Sequence, residues 1–254
     1  MTAVAVHAVI EGPDDAPVVV LAGSLGSTLE MWDPQVPALV ERFRVVRYDA
    51  RGHGRSPVPQ GPYSMDDLVD DVVALLDRLD VEIACFVGLS LGGMTGMRLA
   101  AREPGRVDRL ALLCTAPLME AGPWKERAKA VRADGTGSIA PAIVTRWLTE
   151  GARASDPALV EWFEQMVAGT PDEGYAACCE AIAAMDLRTD LTRITAPTLV
   201  IGGADDPATP PQHQRDIADA VPGAELLIVE DAAHLASYER SATVNTALLR
   251  HLQA

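Results

Sequence analysis

The sequence predicts an α/β fold: a mostly parallel central sheet flanked by helices, with a block of helices inserted between two of its strands. Three observations predict it. Apolar runs too short for helices are bounded by Gly, Pro or Asp, and segments of helical period separate them. Strands alternating with helices form βαβ units, which build a parallel sheet covered on both faces. The alternation then stops between residues 118 and 190, where helical patterns alone continue.

Taken in order, residues 3–10 are rich in β-branched side chains and lead into the turn cluster Gly12-Pro13-Asp14-Asp15. The run 18–22 follows, so the two runs read as a hairpin opening the sheet. Runs at 44–48, 85–89, 110–114, 198–201 and 225–229 read as strands buried on both faces. Residues 66–79 carry apolar side chains at 68, 69, 72, 73, 75, 76 and 79, one face of a helix, and Ser64 with Asp67 stands at capping-box spacing before it. A further helix is expected over 94–101. In the strandless block, helix-like stretches fall at 124–132, 141–148, 157–167 and 173–185. The expected division is a core of residues 1–117 and 191–254 and a helical lid of residues 118–190.

Composition bounds the function. The 254 residues suit one large domain, or one domain with an insertion, and 48% hydrophobic with 22% charged residues is a globular balance rather than a disordered or fibrous one. No apolar run approaches the roughly 18 residues of a membrane span. No Lys or Arg precedes Glu11, so neither a signal peptide nor a transmembrane helix is expected, and a cytoplasmic location follows as an expectation. A formal net charge of −15, with no basic cluster to offset it, repels phosphate backbones and anionic membranes, so neither nucleic acid nor membrane is an expected partner. Cys85, Cys114, Cys178 and Cys179 show no CxxC spacing and no nearby His, which argues against structural zinc and a disulfide framework.

The sharpest chemical signal is Gly88-Leu89-Ser90-Leu91-Gly92-Gly93, set between a strand run and a helical stretch. That order places Ser90 on a nucleophile elbow, a strained turn whose glycines let backbone segments approach closely. A serine hydroxyl needs a base, and the base needs an orienting acid. On this scaffold they follow the serine in the order acid, then histidine. Gly202-Gly203-Ala204-Asp205-Asp206 follows one late strand and Asp231-Ala232-Ala233-His234-Leu235 the next. His234 is the expected base. Spacing leaves Asp205 and Asp206 both open, the other being a turn or capping residue.

Among the other histidines, His7 lies in an early strand, His213 on a surface helix and His251 beside a frayed C-terminus. His53 is the one competitor, but it precedes Ser90 in a turn-rich loop. Two N–H donors are expected for an oxyanion: Leu91, directly after the nucleophile, and Leu25, in the loop Gly23-Ser24-Leu25-Gly26. No GxGxxG or P-loop pattern is present, and no cofactor or metal is expected.

These residues resemble the α/β-hydrolase fold family in the segment Asp49 to Ser56, in the elbow at Ser90, and in Gly203-Ala204-Asp205-Asp206 with Pro210. In that last motif the family's acid stands three after the glycine and four before the proline, which implies Asp206. More narrowly, the chain resembles the 3-oxoadipate enol-lactonases. The resemblance rests on Ser24-Leu25-Gly26 with Met31-Trp32-Asp33-Pro34-Gln35, on residues 88–97, on Tyr175-Ala176-Ala177-Cys178-Cys179 with Ala181-Ile182, and on Ala232-Ala233-His234-Leu235. One departure is Gly23, where an Asn is expected.

The resemblance implies a small enol-lactone substrate with a carboxymethyl side chain, opened through an acyl-enzyme to 3-oxoadipate in the protocatechuate branch of aromatic catabolism. In the lid, Trp124 and Trp147 are candidates either to face that substrate or to anchor the lid. Arg127 and Arg146 are candidates to pair with its carboxylate. The competing readings are a general carboxylesterase, a perhydrolase-like enzyme or a C–C bond hydrolase of the same fold, and a hydrolase-like binding protein without turnover. A dehalogenase or epoxide hydrolase would need a carboxylate where Ser90 stands.

Overall fold

A computed structural model describes residues 2–253. Seven strands, β1 (Ala8–Glu11), β2 (Val18–Ala22), β3 (Arg44–Tyr48), β4 (Ala84–Leu89), β5 (Val107–Leu113), β6 (Thr198–Gly203) and β7 (Glu225–Val229), form one sheet in the order β1-β3-β2-β4-β5-β6-β7. All neighbours run parallel except β1, which is antiparallel to β3. The expected hairpin is therefore not formed. β3 lies between β1 and β2, with Ala8 opposite Tyr48 on one side and Ala22 opposite Tyr48 on the other. The turn cluster at 12–15 reverses the chain locally, but the pairing partner is set by a later strand.

Every residue of β4 and β6 is buried, as central parallel strands require. β7 departs from the expected two-sided burial: Glu225 and Leu226 are exposed because β7 is the sheet's edge and only β6 pairs with it. Helix α1 (Met65–Arg78) opens with the expected capping box. Asp67 N–H donates to the Ser64 hydroxyl oxygen, and Ser64 N–H donates to the Asp67 carboxylate at 2.9 Å. Such a cap stabilises a helix by about 1 kcal/mol. Helix α2 (Leu91–Arg102) leaves β4 directly through Ser90 and buries its apolar face on β4 and β5.

Between β5 and β6 come α3 (Ala121–Asp134), α4 (Ala140–Trp147), α5 (Glu150–Ser155), α6 (Pro157–Ala168) and α7 (Asp172–Ala184), with no strand among them. Of these, α5 was not anticipated. The two ends of this insertion lie side by side: Leu118 and Asp186 form an antiparallel bridge, and Leu187 N–H donates to the Pro117 carbonyl at 2.8 Å. Helices α8 (Pro211–Ala220) and α9 (Ser241–Leu252) complete the core. His251 is not frayed. It is 8% exposed, with Nε2 3.0 Å from the Leu110 carbonyl, because α9 packs onto the ends of β5 and β6.

Candidate active site

Four loops that follow the C-terminal ends of parallel strands converge beneath the inserted helices, the usual ligand position on such a sheet. They carry Ser24 and Leu25 after β2, Ser90 after β4, Asp206 to Thr209 after β6, and His234 after β7. Together with α3 and α4 they bound a half-open cavity of about 240 Å³ lined by Ser24, Leu25, Ser90, His234, Thr209 and side chains of the inserted helices. Its size suits a small ring rather than a long acyl chain.

Ser90 has φ +56° and ψ −113°, a conformation that side-chain-bearing residues rarely adopt. The surroundings enforce it. Ser90 N–H donates to the Leu113 carbonyl at 2.9 Å, and the Thr115 hydroxyl donates to the Ser90 carbonyl at 2.8 Å. The strands and α2 pack so closely here that a Cβ on Gly92 would overlap the Ala22 carbonyl, which is why glycine flanks the serine.

Asp206, and not Asp205, meets His234: Oδ2 lies 2.8 Å from Nδ1. Asp205 is exposed on an outer cleft. The Asp206 carboxylate is fully engaged, with Oδ1 accepting from Ala208 N–H at 2.7 Å and Thr209 N–H at 3.0 Å and Oδ2 also accepting from the Thr209 hydroxyl at 2.7 Å. Burial alone would raise its pKa. The charge and hydrogen bond of His234, with the Thr209 donors, outweigh burial and hold the carboxyl below its ordinary value. With Nδ1–H directed at Asp206, the imidazole presents Nε2 as the free lone pair, the arrangement a general base needs.

Two N–H groups of the loop after β2, on either side of Leu25, are fixed. Ser24 N–H donates to Met31 Sδ at 3.2 Å, and Gly26 N–H donates to His53 Nε2 at 2.9 Å. Among the described residues, Leu25 N–H between them has no intramolecular acceptor. Leu91 N–H is likewise unpartnered, at the first turn of α2, where the helix dipole favours negative charge. Gly23 explains the departure from Asn in the sequence pattern. A Cβ there would come within 2.7 Å of Ser27 Oγ and 2.9 Å of Met31 Sδ, so the thioether occupies the space a side chain would need.

His53 is removed from contention as a base. It is fully buried, its Nδ1 lies 3.1 Å from the Arg51 carbonyl, and its Nε2 accepts from Gly26. Burial pushes its pKa down to about 4, against the raising effect of the Arg51 carbonyl, so the ring is neutral and Nε2 is an acceptor.

The lid residues singled out from sequence all line the cavity. Trp147 is 3% exposed and packs edge-on against Phe163 at 5.6 Å, so it both lines the cavity and packs within the inserted helices. The Arg127 guanidinium lies 4.4 Å from the centre of the Trp124 ring, and the buried Tyr175 lines the same cavity. Arg146 is exposed on α4. Among the described residues neither guanidinium is paired with a carboxylate, although Glu120 also lines the cavity. Sequence reasoning missed Thr209, although it lies inside the acidic loop, and it missed Tyr175 as a cavity residue. A hydroxyl three residues after a catalytic-loop carboxylate is the signal that could have found the first.

Residues 16–148 match the family model for the alpha/beta hydrolase fold, and residues 172–254 match the model of TAP-like proteins. The chain is 40% identical over 238 residues to 3-oxoadipate enol-lactonase 2 of Acinetobacter baylyi, covering 93% of this chain and 89% of that protein. The enol-lactonase of Burkholderia xenovorans LB400 superposes with a TM-score of 0.96 at 40% identity, over 98% of this chain and 96% of that one. A thermophilic esterase from Thermogutta terrifontis superposes with a TM-score of 0.92 at 29% identity, over 98% and 93%. The chain belongs to the α/β-hydrolase fold family.

Proposed function

We propose that the protein is a serine hydrolase that opens a carboxylate-bearing enol-lactone, with 3-oxoadipate enol-lactone as the substrate and residues 118–190 as the lid over its site. The observation that carries this reading is one small cavity bounded below by Ser90 and His234 and above by Arg127 and Arg146, two guanidiniums without carboxylate partners in an acidic chain. The similarity to enol-lactonases supports it.

In this mechanism Ser90 Oγ attacks the lactone carbonyl while His234 Nε2 takes its proton, and Asp206 stabilises the imidazolium that forms. Leu25 N–H and Leu91 N–H receive the oxyanion. Collapse of the tetrahedral intermediate breaks the ring C–O bond. The leaving group is an enolate, which His234 protonates and which tautomerises to the ketone. Water, deprotonated by His234, then releases the acid and restores Ser90. Arg127, stacked on Trp124, pairs with the side-chain carboxylate, and Arg146 at the mouth attracts it. No step calls for a cofactor.

The test is to generate the enol-lactone in situ and follow its disappearance with wild type and Ser90→Ala. Rapid loss with wild type and near-background loss with the variant is expected. Absence of acceleration over background, alongside good turnover of simple aryl esters, would replace the lactonase with a general carboxylesterase.

A further inference from the structure

The backbone on both sides of His234 is tied to one short stretch of the lid. Ala233 N–H donates to Glu239 Oε2 at 2.7 Å. The other oxygen of the same carboxylate, Oε1, accepts from Thr149 N–H at 2.8 Å and from the Thr149 hydroxyl at 2.7 Å. On the far side of the histidine, Leu235 N–H donates to the Trp147 carbonyl at 2.9 Å. Thr149 is itself the N-cap of α5, its Oγ accepting from Ala152 N–H at 3.2 Å, and Trp147 closes α4 and lines the cavity.

We propose that Glu239 is a positioning residue that couples the seating of the lid segment 147–149 to the placement of the His234 imidazole. This rests on the reading of His234 as the general base. The carboxylate is the one side chain of this length that can accept three hydrogens at once. Glutamine has a single acceptor oxygen, and its amide N–H would point at one of these donors. With the residues before and after His234 both held by 147–149, a displacement of α4 moves the imidazole relative to Ser90. A shift of about 1 Å in a reacting group can cost about a hundredfold in rate. Formation of the cavity roof and alignment of the base are then one event, and an enzyme with an unseated lid is held inactive even though Ser90 remains in place.

The test is steady-state kinetics of Glu239→Gln on phenyl acetate, which is uncharged and makes no ion pair with the lid, and on a bulkier aryl ester that fills the cavity. The expected result is a kcat about ten- to a hundredfold lower on both esters, KM on phenyl acetate within about threefold of wild type, and a Tm lowered by only a few degrees. Thr149→Ala keeps the carboxylate and removes one donor, so it should lower kcat on both esters less, and should add nothing in the Glu239→Gln background. This second variant carries the test should Glu239→Gln fold poorly. Unchanged kcat, or a loss confined to KM of the bulkier ester, would reduce Glu239 to an anchor of the lid alone. His234→Ala separates the two readings. Turnover surviving in that variant overturns the assignment of the base and this proposal with it, whereas turnover lost there but kept in Glu239→Gln overturns this proposal alone.

Discussion

The floor and the roof of the cavity are built differently. In the floor the groups that carry the reacting atoms are fixed by backbone or by buried partners: Asp206 accepts four hydrogens, Ser90 is locked between Leu113 and Thr115, and the loop at Leu25 is pinned through Ser24 and Gly26. The roof presents aromatic and aliphatic surface and two guanidiniums on long stems, one stacked on Trp124 and one exposed. The difference teaches where each property resides. Bond making needs groups placed to a fraction of an ångström, which a strand-end loop can supply. Substrate choice needs only complementary side chains, which a helix face can vary without disturbing the sheet.

The largest effect should come from the floor. Asp206→Asn is expected to lower kcat by about 10⁴, because the amide no longer holds the imidazole in its acting tautomer, while Asp205→Asn leaves kcat within about twofold. Kinetics of the two variants side by side decide it, and the reverse order would place the acid on the exposed residue.

A smaller effect should come from beneath the floor. His53→Ala removes the acceptor that pins Gly26, and kcat should fall about ten- to a hundredfold, short of the loss expected for deleting an oxyanion donor outright. His53→Gln, whose carbonyl can still accept from Gly26, should recover part of it. The same residue gives a stability signature. Its folded pKa of about 4 lies below the ordinary 6.5, so between these values the unfolded chain binds a proton that the folded chain does not. Its contribution is complete above pH 6.5 and declines as pH falls towards 4. Urea titrations across that range should show a shallower decline in His53→Gln, and parallel slopes would remove His53 from the account.

The roof should give the smallest and most selective effect. Arg127→Leu is expected to raise KM for the anionic lactone about tenfold while sparing a neutral aryl ester. Ionic strength probes the same contrast. With a net charge of −15, lowering the salt should weaken capture of the lactone and leave the neutral ester almost unaffected. Equal losses on both substrates would mean that the roof sets shape rather than charge.

What could be read from the sequence followed the same division. The strand runs, the elbow at Ser90 and the order of acid and histidine are local patterns, each carried by adjacent residues. The hairpin reading failed because the partner of β1 is chosen by the burial of β3, more than thirty residues away in sequence, rather than by the turn beside it. Spacing alone left Asp205 and Asp206 open, because which of two adjacent carboxylates faces inward depends on the loop's backbone path. His53 read as a rival base because its partner, Gly26, lies 27 residues upstream. Glu239 gave no signal at all, since its three donors come from two separate parts of the chain.

The bridge between Leu118 and Asp186 has a further consequence for design. An insertion whose entry and exit are bridged behaves as a cassette: its ends sit at neighbouring points on the host whatever lies between them. Lids from related hydrolases could be spliced at this bridge to change substrate preference while the sheet is left untouched. A graft should keep most activity when it brings a hydroxyl and an N–H to the place of Thr149, within reach of Glu239.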